Sequence, residues 1–409
     1  MPGSTPIYTA LQQYAGKDFL RLHMPGHVGK GIKQHELCRL AVLDLTEIPG
    51  LDDLHLPTGV IKESQELLAG IHTLFLALNQ EGSKVLLPRN AHRSFYGGLV
   101  LSGATPVYIP VQVESELGIS LAVTAEDVNR LLILNPEVNN VFISSPSYYG
   151  TGSDIEAIAS ITISHNKLLL VDEAHGAHFT FSRHYPQTAL ESGADGVING
   201  LHKTLPVLNQ GASLHLSARL AGDSRIVKSL SLLTTTSPSY PILASIELAR
   251  QFMEKNGESI LEKSYQLSQE YRQKINAITG LNCCEQELQA VTGVTVLDPL
   301  KMLVSVRGSS LDGYQFAALL RERYGIQVEL EGTNFILAMF SLFHDRNDWE
   351  KFYQALQVIA ATYPGRRKTW PKVKMPPMPS RMLTPRQAFM ALSHQVPIKD
   401  ALNRVAAEL

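Results

Sequence analysis

The sequence predicts an α/β protein whose body is a largely parallel sheet, and three observations carry that expectation. Short apolar runs with polar ends recur at 84–88 (KVLLP), 105–110 (TPVYIP), 139–146 (NNVFISSP), 167–173 (KLLLVDE) and 195–200 (DGVING). Longer segments with helical spacing lie between them, such as SDIEAIASITISHN at 153–166. With 409 residues and 44% hydrophobic side chains, the chain can bury a large core and divide into domains. Strands alternating with helices build parallel sheets, whose ligands sit at the carboxyl ends of the strands.

Residues 1–58 read as an N-terminal arm punctuated by Gly, Pro and His, and the alternating body occupies 59–255. A long helical pattern from about Pro241 to Ile278 leads into a smaller α/β domain, 256–365. That domain holds GVTVLDPLKMLVSV, the helix DGYQFAALLRERYG, with Gly325 placed to end it, and IQVELEGTNFILAMFS. Residues 366–409 open with five prolines between 371 and 385, an extended linker. The short helix PRQAFMALSHQ and a final IKDALNRVAAEL follow.

Charge and composition exclude several classes. Lys plus Arg (36) nearly balance Asp plus Glu (38), and no basic run attracts a polyanion. The N-terminus lacks a signal-peptide pattern, and no apolar run nears the roughly 18 residues of a membrane span. A cytoplasmic protein is expected. Cys38, Cys283 and Cys284 include no C-x-x-C pair and read as reduced structural thiols.

Chemistry concentrates in VDEAHGAH at 171–178, which begins at one of the expected strand ends. A nucleotide-hydrolysis box needs a Walker loop, and the chain has none. A metal site at Asp172, His175 and His178 lacks a fourth ligand by spacing, so metal is not expected. Capping side chains at a strand end are the plain alternative. The second stretch, ADGVINGLHKTLPVLNQGA at 194–212, decides among them by placing Lys203 at another strand end. Pyridoxal 5'-phosphate requires that combination: a lysine amine to bond its aldehyde and a carboxylate to keep its ring nitrogen protonated.

FLRLHMPGHVGKG, DLTEIPGLDDLHLPTGVIKESQEL, LLPRNAHRSFYGGLVLSGATPVYI, SPSYYGTGSDIEAIA, LLVDEAHGAHF, HKTLPVLNQGA and TTTSPSYPILASIELAR occur in that order. Together they resemble the bacterial ornithine/lysine/arginine decarboxylases, fold-type-I pyridoxal phosphate enzymes shaped like aspartate aminotransferase. The resemblance implies that Lys203 bonds the cofactor, Asp172 partners its ring nitrogen, His92 stacks on the ring and Ala174 packs its other face. It further implies that His175 and His202 line the pocket, and that Thr235, Thr236 and Ser237 reach a neighbour's phosphate across a homodimer. A basic amino acid then loses its α-carboxylate as carbon dioxide, and His92 or Lys203 returns a proton. A cationic substrate side chain needs acidic partners, and Glu47, Asp52, Asp53 and Glu329 are the candidates, with Asp44 beside them.

The sequence also departs from the family it resembles. Between Leu68 and Thr73 a short strand and an Asn-Gly-Ser-Thr type loop are missing, so IKESQELLAGIHTLFLAL is expected to run as one helix and leave a gap in the sheet. That loop would hold the phosphate at a helix N-terminus, through charge-assisted hydrogen bonds of roughly 1.5–3 kcal/mol each. Gly200 and Leu201 also stand where related sequences carry hydroxyls, which leaves His202, Ser94 and the neighbour's threonines for that task. The expected activity is decarboxylation of arginine ahead of lysine or ornithine, supplying polyamine precursors. The alternatives are an impaired member acting through dimerisation, and transamination, for which Arg321 and Arg323 lie in the right domain.

Overall fold

The computed structural model describes residues 14–23, 26, 28, 30, 69–233, 240–365, 372, 380–402 and 404. Strand β1 (Leu20–Leu22) comes first, then helix α1 (Ala69–Leu78), β2 (Lys84–Pro88), α2 (Arg93–Ser102), β3 (Thr105–Ile109) and α3 (Ala125–Leu134). The body continues with β4 (Val138–Ser144), α4 (Ile155–Ser164), β5 (Leu168–Asp172), β6 (Gly196–Asn199), the one-turn α5 (Leu201–Thr204), β7 (Ser213–Leu216) and α6 (Ser224–Leu233). Five strands therefore form where the apolar runs placed them.

These strands make one sheet in the order β7-β6-β5-β4-β2-β3, parallel except for β7, which runs antiparallel to β6. The unbroken hydrophobic runs follow from burial on both faces. Leu86, Val141, Ile143, Leu169, Val171 and Val197 face α3 and α4, while Val85, Leu87, Phe142, Leu170 and Ile198 face α1 and α2. On the second face Phe75 stacks on Phe142 with ring centroids 4.0 Å apart. Side-chain caps start the helices of the first face: Thr124 accepts from the Asp127 amide and Asp154 from the Ala157 amide.

The sheet has no interior gap. Helix α1 descends from the carboxyl edge, its Gly70 lying against Ile198 of β6, so a strand feeding it would belong beside β7. None pairs there among the described residues, and β7 is only partly buried. Of the expected continuous helix, the described part begins at Ala69, and residues 61–68 lie outside the described residues.

The second unit begins with the 37-residue helix α7 (Tyr240–Asn276), which runs through the expected 255/256 boundary. Then come β8 (Asn282–Cys283), β9 (Lys301–Ser305), α8 (Gly313–Tyr324), β10 (Ile326–Val328), β11 (Leu330–Gly332), β12 (Phe335–Met339) and α9 (Arg346–Thr362). Strands β8-β9-β12-β11 form an antiparallel sheet. One face packs Met302, Val304, Ile336 and Ala338 against Trp349, Phe352 and Leu356. The other packs Leu303 and Leu337 against Ile119 and Leu121 of the large domain. Gly325 ends α8 in the left-handed conformation, φ 60°.

Strand β1 pairs in parallel with β10, so the described part of the N-terminal arm is sewn to the small domain. Helix α10 (Pro385–Met390) forms as expected, but the final IKDALNRVAAEL shows only a single tight turn at Ile398–Asp400 in its described part. Cys283 and Cys284 are free and buried, and burial pushes the Cys283 thiol up to about 11. Cys38 lies outside the described residues.

Candidate active site

Strands β2, β4, β5 and β6 deliver chemistry-bearing residues from their carboxyl ends, on the side where the strand order reverses between β2 and β4. Asp172 is the last residue of β5, held in register between Ser144 and Ile198. Its side chain is buried, and Oδ1 accepts from the Ala174 amide at 3.1 Å. Glu173 turns away and ties the strand ends together: it accepts from the Ala189 amide at 2.7 Å and from Asn199 Nδ2 at 3.0 Å. Burial pushes the Glu173 carboxyl up to about 7 against those hydrogen bonds.

Lys203 rises from α5, the turn that follows β6. An ideal Cβ on Gly200 would lie 3.0 Å from the Ala174 carbonyl and 3.1 Å from Lys203 Cδ. The bare glycine therefore leaves room for the lysine stem beside Ala174. The glycine thus eases the packing of the lysine stem, besides lacking a phosphate donor. Lys203 Nζ lies 3.2 Å from His175 Nε2. The other ring nitrogen, Nδ1, lies 3.1 Å from Nζ of a second lysine, Lys301 at the start of β9. Burial first, then the charges of Lys203 and Lys301, hold the His175 imidazole well below its usual range, so the ring is neutral.

His92 caps α2, its Nδ1 accepting from the Ser94 amide at 3.3 Å and lying 2.8 Å from Ser94 Oγ. His202 is buried, with Nδ1 2.9 Å from the Gly211 carbonyl. Its own carbonyl accepts from the Gly26 amide at 2.8 Å, which docks the N-terminal segment on the Lys203 turn. Among the substrate acids, Glu329 accepts from the Tyr148 hydroxyl, and Tyr148 meets the His175 ring edge-on at 5.0 Å. Glu47, Asp52, Asp53, Asp44, Thr235, Thr236 and Ser237 lie outside the described residues. Arg321 directs its charge at Tyr14 and Glu331.

Three groups escaped the sequence reading. Lys301 is buried, with its Nζ 3.0 Å from Met339 Sδ and 5.4 Å from the Tyr148 ring centre. Asp298 is equally buried and lies 3.3 Å from His178 Nε2. Burial works to raise the Asp298 carboxyl, yet His178 and Lys301 hold it below its usual range. Tyr148 completes the set. The one available signal was the string Asp298-Pro-Leu-Lys301 opening an otherwise apolar strand. His178 is thus committed to Asp298 and His175 to two lysines, and among the described residues no cluster suits a metal ion. A cleft between the domains is lined by His23, Lys203, Thr204, Asp298, Lys301 and Met339.

A buried acid, a lysine and an open glycine at adjacent strand ends, on a mainly parallel sheet joined to a small α/β domain, define a protein of pyridoxal phosphate fold type I. Solved structures share that fold. Lysine decarboxylase A of Pseudomonas aeruginosa superposes with a TM-score of 0.63 at 18% identity, over 87% of this chain and 60% of that one. The constitutive lysine decarboxylase of Escherichia coli gives 0.62 at 17%, over 88% and 61%. This chain spans about three fifths of the length of either. The arginine decarboxylases of Bacillus subtilis and Bacillus cereus are 33% and 32% identical over 99% of this chain, and over 87% and 93% of their own lengths. The family described as Orn/Lys/Arg decarboxylase, major domain, matches residues 5–348. The chain belongs to the Orn/Lys/Arg decarboxylase family. Its match to the Bacillus subtilis protein runs over 429 positions against 409 residues here, so at least 20 of that protein's positions have no counterpart in this chain.

Proposed function

We propose that this protein decarboxylates a basic amino acid, arginine in first place, with pyridoxal 5'-phosphate as cofactor, and supplies a polyamine precursor. The carrying observation is the pairing of Asp172 and Lys203 at adjacent strand ends, with Gly200 keeping the lysine stem beside Ala174. When bound, the cofactor supplies a protonated ring that takes up the electrons left as the α-carboxylate departs. Asp172 would hold the counter-charge for that ring nitrogen, and Lys203 would offer its amine to the aldehyde. Ala174 and His92 would pack against that ring, and His92 or Lys203 would return a proton to the substrate's α-carbon. His175 orients Lys203. A phosphate dianion would draw on Ser94, in the first turn of α2, and on His202.

Glu329, with the Tyr148 hydroxyl on it, supports a cationic substrate side chain. The high coverage of the Bacillus arginine decarboxylases supports arginine over lysine and ornithine. We read the protein as a cytoplasmic homodimer; no helix among the described residues is long and apolar enough to cross a membrane. A second reading, an impaired member that acts by dimerisation, is favoured by the positions missing relative to the Bacillus subtilis protein.

Titration with pyridoxal phosphate, followed by visible absorbance, tests both. Binding that disappears in Lys203→Ala, with carbon dioxide released from arginine faster than from lysine or ornithine, is the expected result. Absence of binding at saturating cofactor overturns the enzyme reading in favour of the second.

A further inference from the structure

We infer that the cleft between the two domains is a binding site for a small monovalent oxyanion of the carboxylate type, held by the Lys301 ammonium and the Thr204 hydroxyl. The site stands on its own geometry, and only the origin of the anion rests on the proposed decarboxylation.

Lys301 lines the cleft and is 3% exposed. An ammonium carries three hydrogens, all for donation. One meets His175 Nδ1 at 3.1 Å and a second meets the Met339 sulfur, a weak acceptor, at 3.0 Å. No described residue takes the third. The Tyr148 ring, centred 5.4 Å away, adds only its π face. Nor does a described carboxylate come within ion-pairing distance: Asp298 receives the Leu300 amide at 2.9 Å and meets His178 at 3.3 Å. An ammonium withdrawn from water without an anion beside it is costly, so a partner of opposite charge is favoured there. Burial and the charge of Lys203 work against the Lys301 proton, while Asp298 and Glu329 favour it, and the balance draws Lys301 down to about 8. It remains a cation at neutral pH.

Two further polar atoms belong to residues of the same wall. Thr204 Oγ1 and His178 Nδ1 are buried, and neither has a hydrogen-bond partner. Buried polar atoms without partners are rare, and two on one cleft beside a lysine with a hydrogen to donate point to a shared ligand. The Thr204 hydroxyl can donate. The Asp298 carboxylate only accepts, so His178 Nε2 carries the hydrogen between them, and the neutral ring leaves Nδ1 as an acceptor. A water would meet these hydrogen bonds but not the charge; an oxyanion meets both.

Hydrogencarbonate matches the whole set, with oxygens for Lys301 and Thr204 and an O–H for His178 Nδ1. The proposed reaction gives rise to it, since carbon dioxide and water yield hydrogencarbonate and a proton. The α-carboxylate of an amino acid shares the chemistry of the first two contacts. The scaffold holds the donors in place. Arg272 of α7 donates to the Lys301 carbonyl at 2.8 Å and to that of Pro299 at 3.1 Å. Gly150, at φ 87°, leaves space for the lysine stem, since an ideal Cβ there would lie 2.7 Å from Lys301 Cγ. Lys301 belongs to the small domain and Thr204 with His178 to the large one, so the anion would join the two.

The probe is carbon-13 formate, titrated into the full chain without pyridoxal phosphate at neutral pH and fixed ionic strength, with binding read from the width of its carbon resonance. The wild-type chain should broaden the line, and added hydrogencarbonate should reverse the broadening. Lys301→Met should weaken formate binding about tenfold or more, and Thr204→Val about threefold. Circular dichroism establishes that each variant folds, and if Lys301→Met does not, Thr204→Val decides. Displacement of formate by arginine, but not by the amine left when arginine loses its carboxylate, supports the site and assigns it to the substrate. Displacement by hydrogencarbonate and not by arginine supports the site and assigns it to the product-derived anion. No broadening by the folded wild-type chain, or equal broadening by folded Lys301→Met, overturns the proposal. Cofactor titration remains a separate measurement: its failure sinks the decarboxylase reading and leaves the formate result standing.

Discussion

Glu173 stands beside Asp172 in sequence, yet the two carboxyls meet different environments. Asp172 receives a neighbouring amide at the strand end, whereas Glu173 is buried and pushed up to about 7. A carboxyl raised on folding binds more protons folded than unfolded. Its contribution is therefore complete below about pH 4.5 and is lost as pH rises through about 7. Between pH 5 and 8 urea unfolding should lose up to about 3 kcal/mol on this account, and Glu173→Gln should flatten that slope. Gly200→Ser tests the cradle for Lys203. The added Cβ would lie 3.0 Å from the Ala174 carbonyl and 3.1 Å from Lys203 Cδ, and the flexible lysine stem is the part that gives. Half-saturation with pyridoxal phosphate should then need about tenfold more cofactor, roughly 1.4 kcal/mol, with little change in unfolding. Lys203 and Asp172 were legible because Asp172 ends an apolar strand run and Lys203 follows another within four residues. Lys301 was not, because its partner His175 lies 126 residues away in sequence and nothing local announces the contact.

Helix α2 ends at Ser102 with its last carbonyls unsatisfied within the helix. Arg386 of α10 donates to the Val100 carbonyl at 2.7 Å and also reaches the Leu101 carbonyl, placing a cation at the negative end of the helix. Arg386→Ala should free α10, seen as faster proteolysis between residues 380 and 402. The transition of the body should stay within about 0.5 kcal/mol, because the helix buries none of its side chains. Strand and helix positions in the body were readable because burial on both faces imposes continuous apolar runs. The tail differs: among its described residues IKDALNRVAAEL forms only the tight turn Ile398–Asp400 and meets no packing surface, on which short helices depend.

For the molecule as a whole, the contact between domains is carried by polar as well as apolar groups. Asp298 is the acid that both His178 and Lys301 depend on, and all three are buried. Asp298→Ala leaves a buried ammonium without that acid, which should cost about 3–5 kcal/mol in chemical unfolding. The cleft residues of the small domain should also become more open to hydrogen exchange. By contrast Asp298→Asn keeps the shape and the His178 contact, and its smaller loss would measure the charge alone.

By itself the sequence determined the α/β alternation, the acid and lysine at adjacent strand ends, and the family. These are local or pairwise patterns: apolar periodicity records burial, and a strand end followed by a functional side chain lies within a few residues. Only the tertiary structure decided that β1 joins the small domain and that a second buried lysine closes on His175. Those features come from segments more than 100 residues apart brought together by packing. No periodicity along the chain encodes which two distant ends will meet.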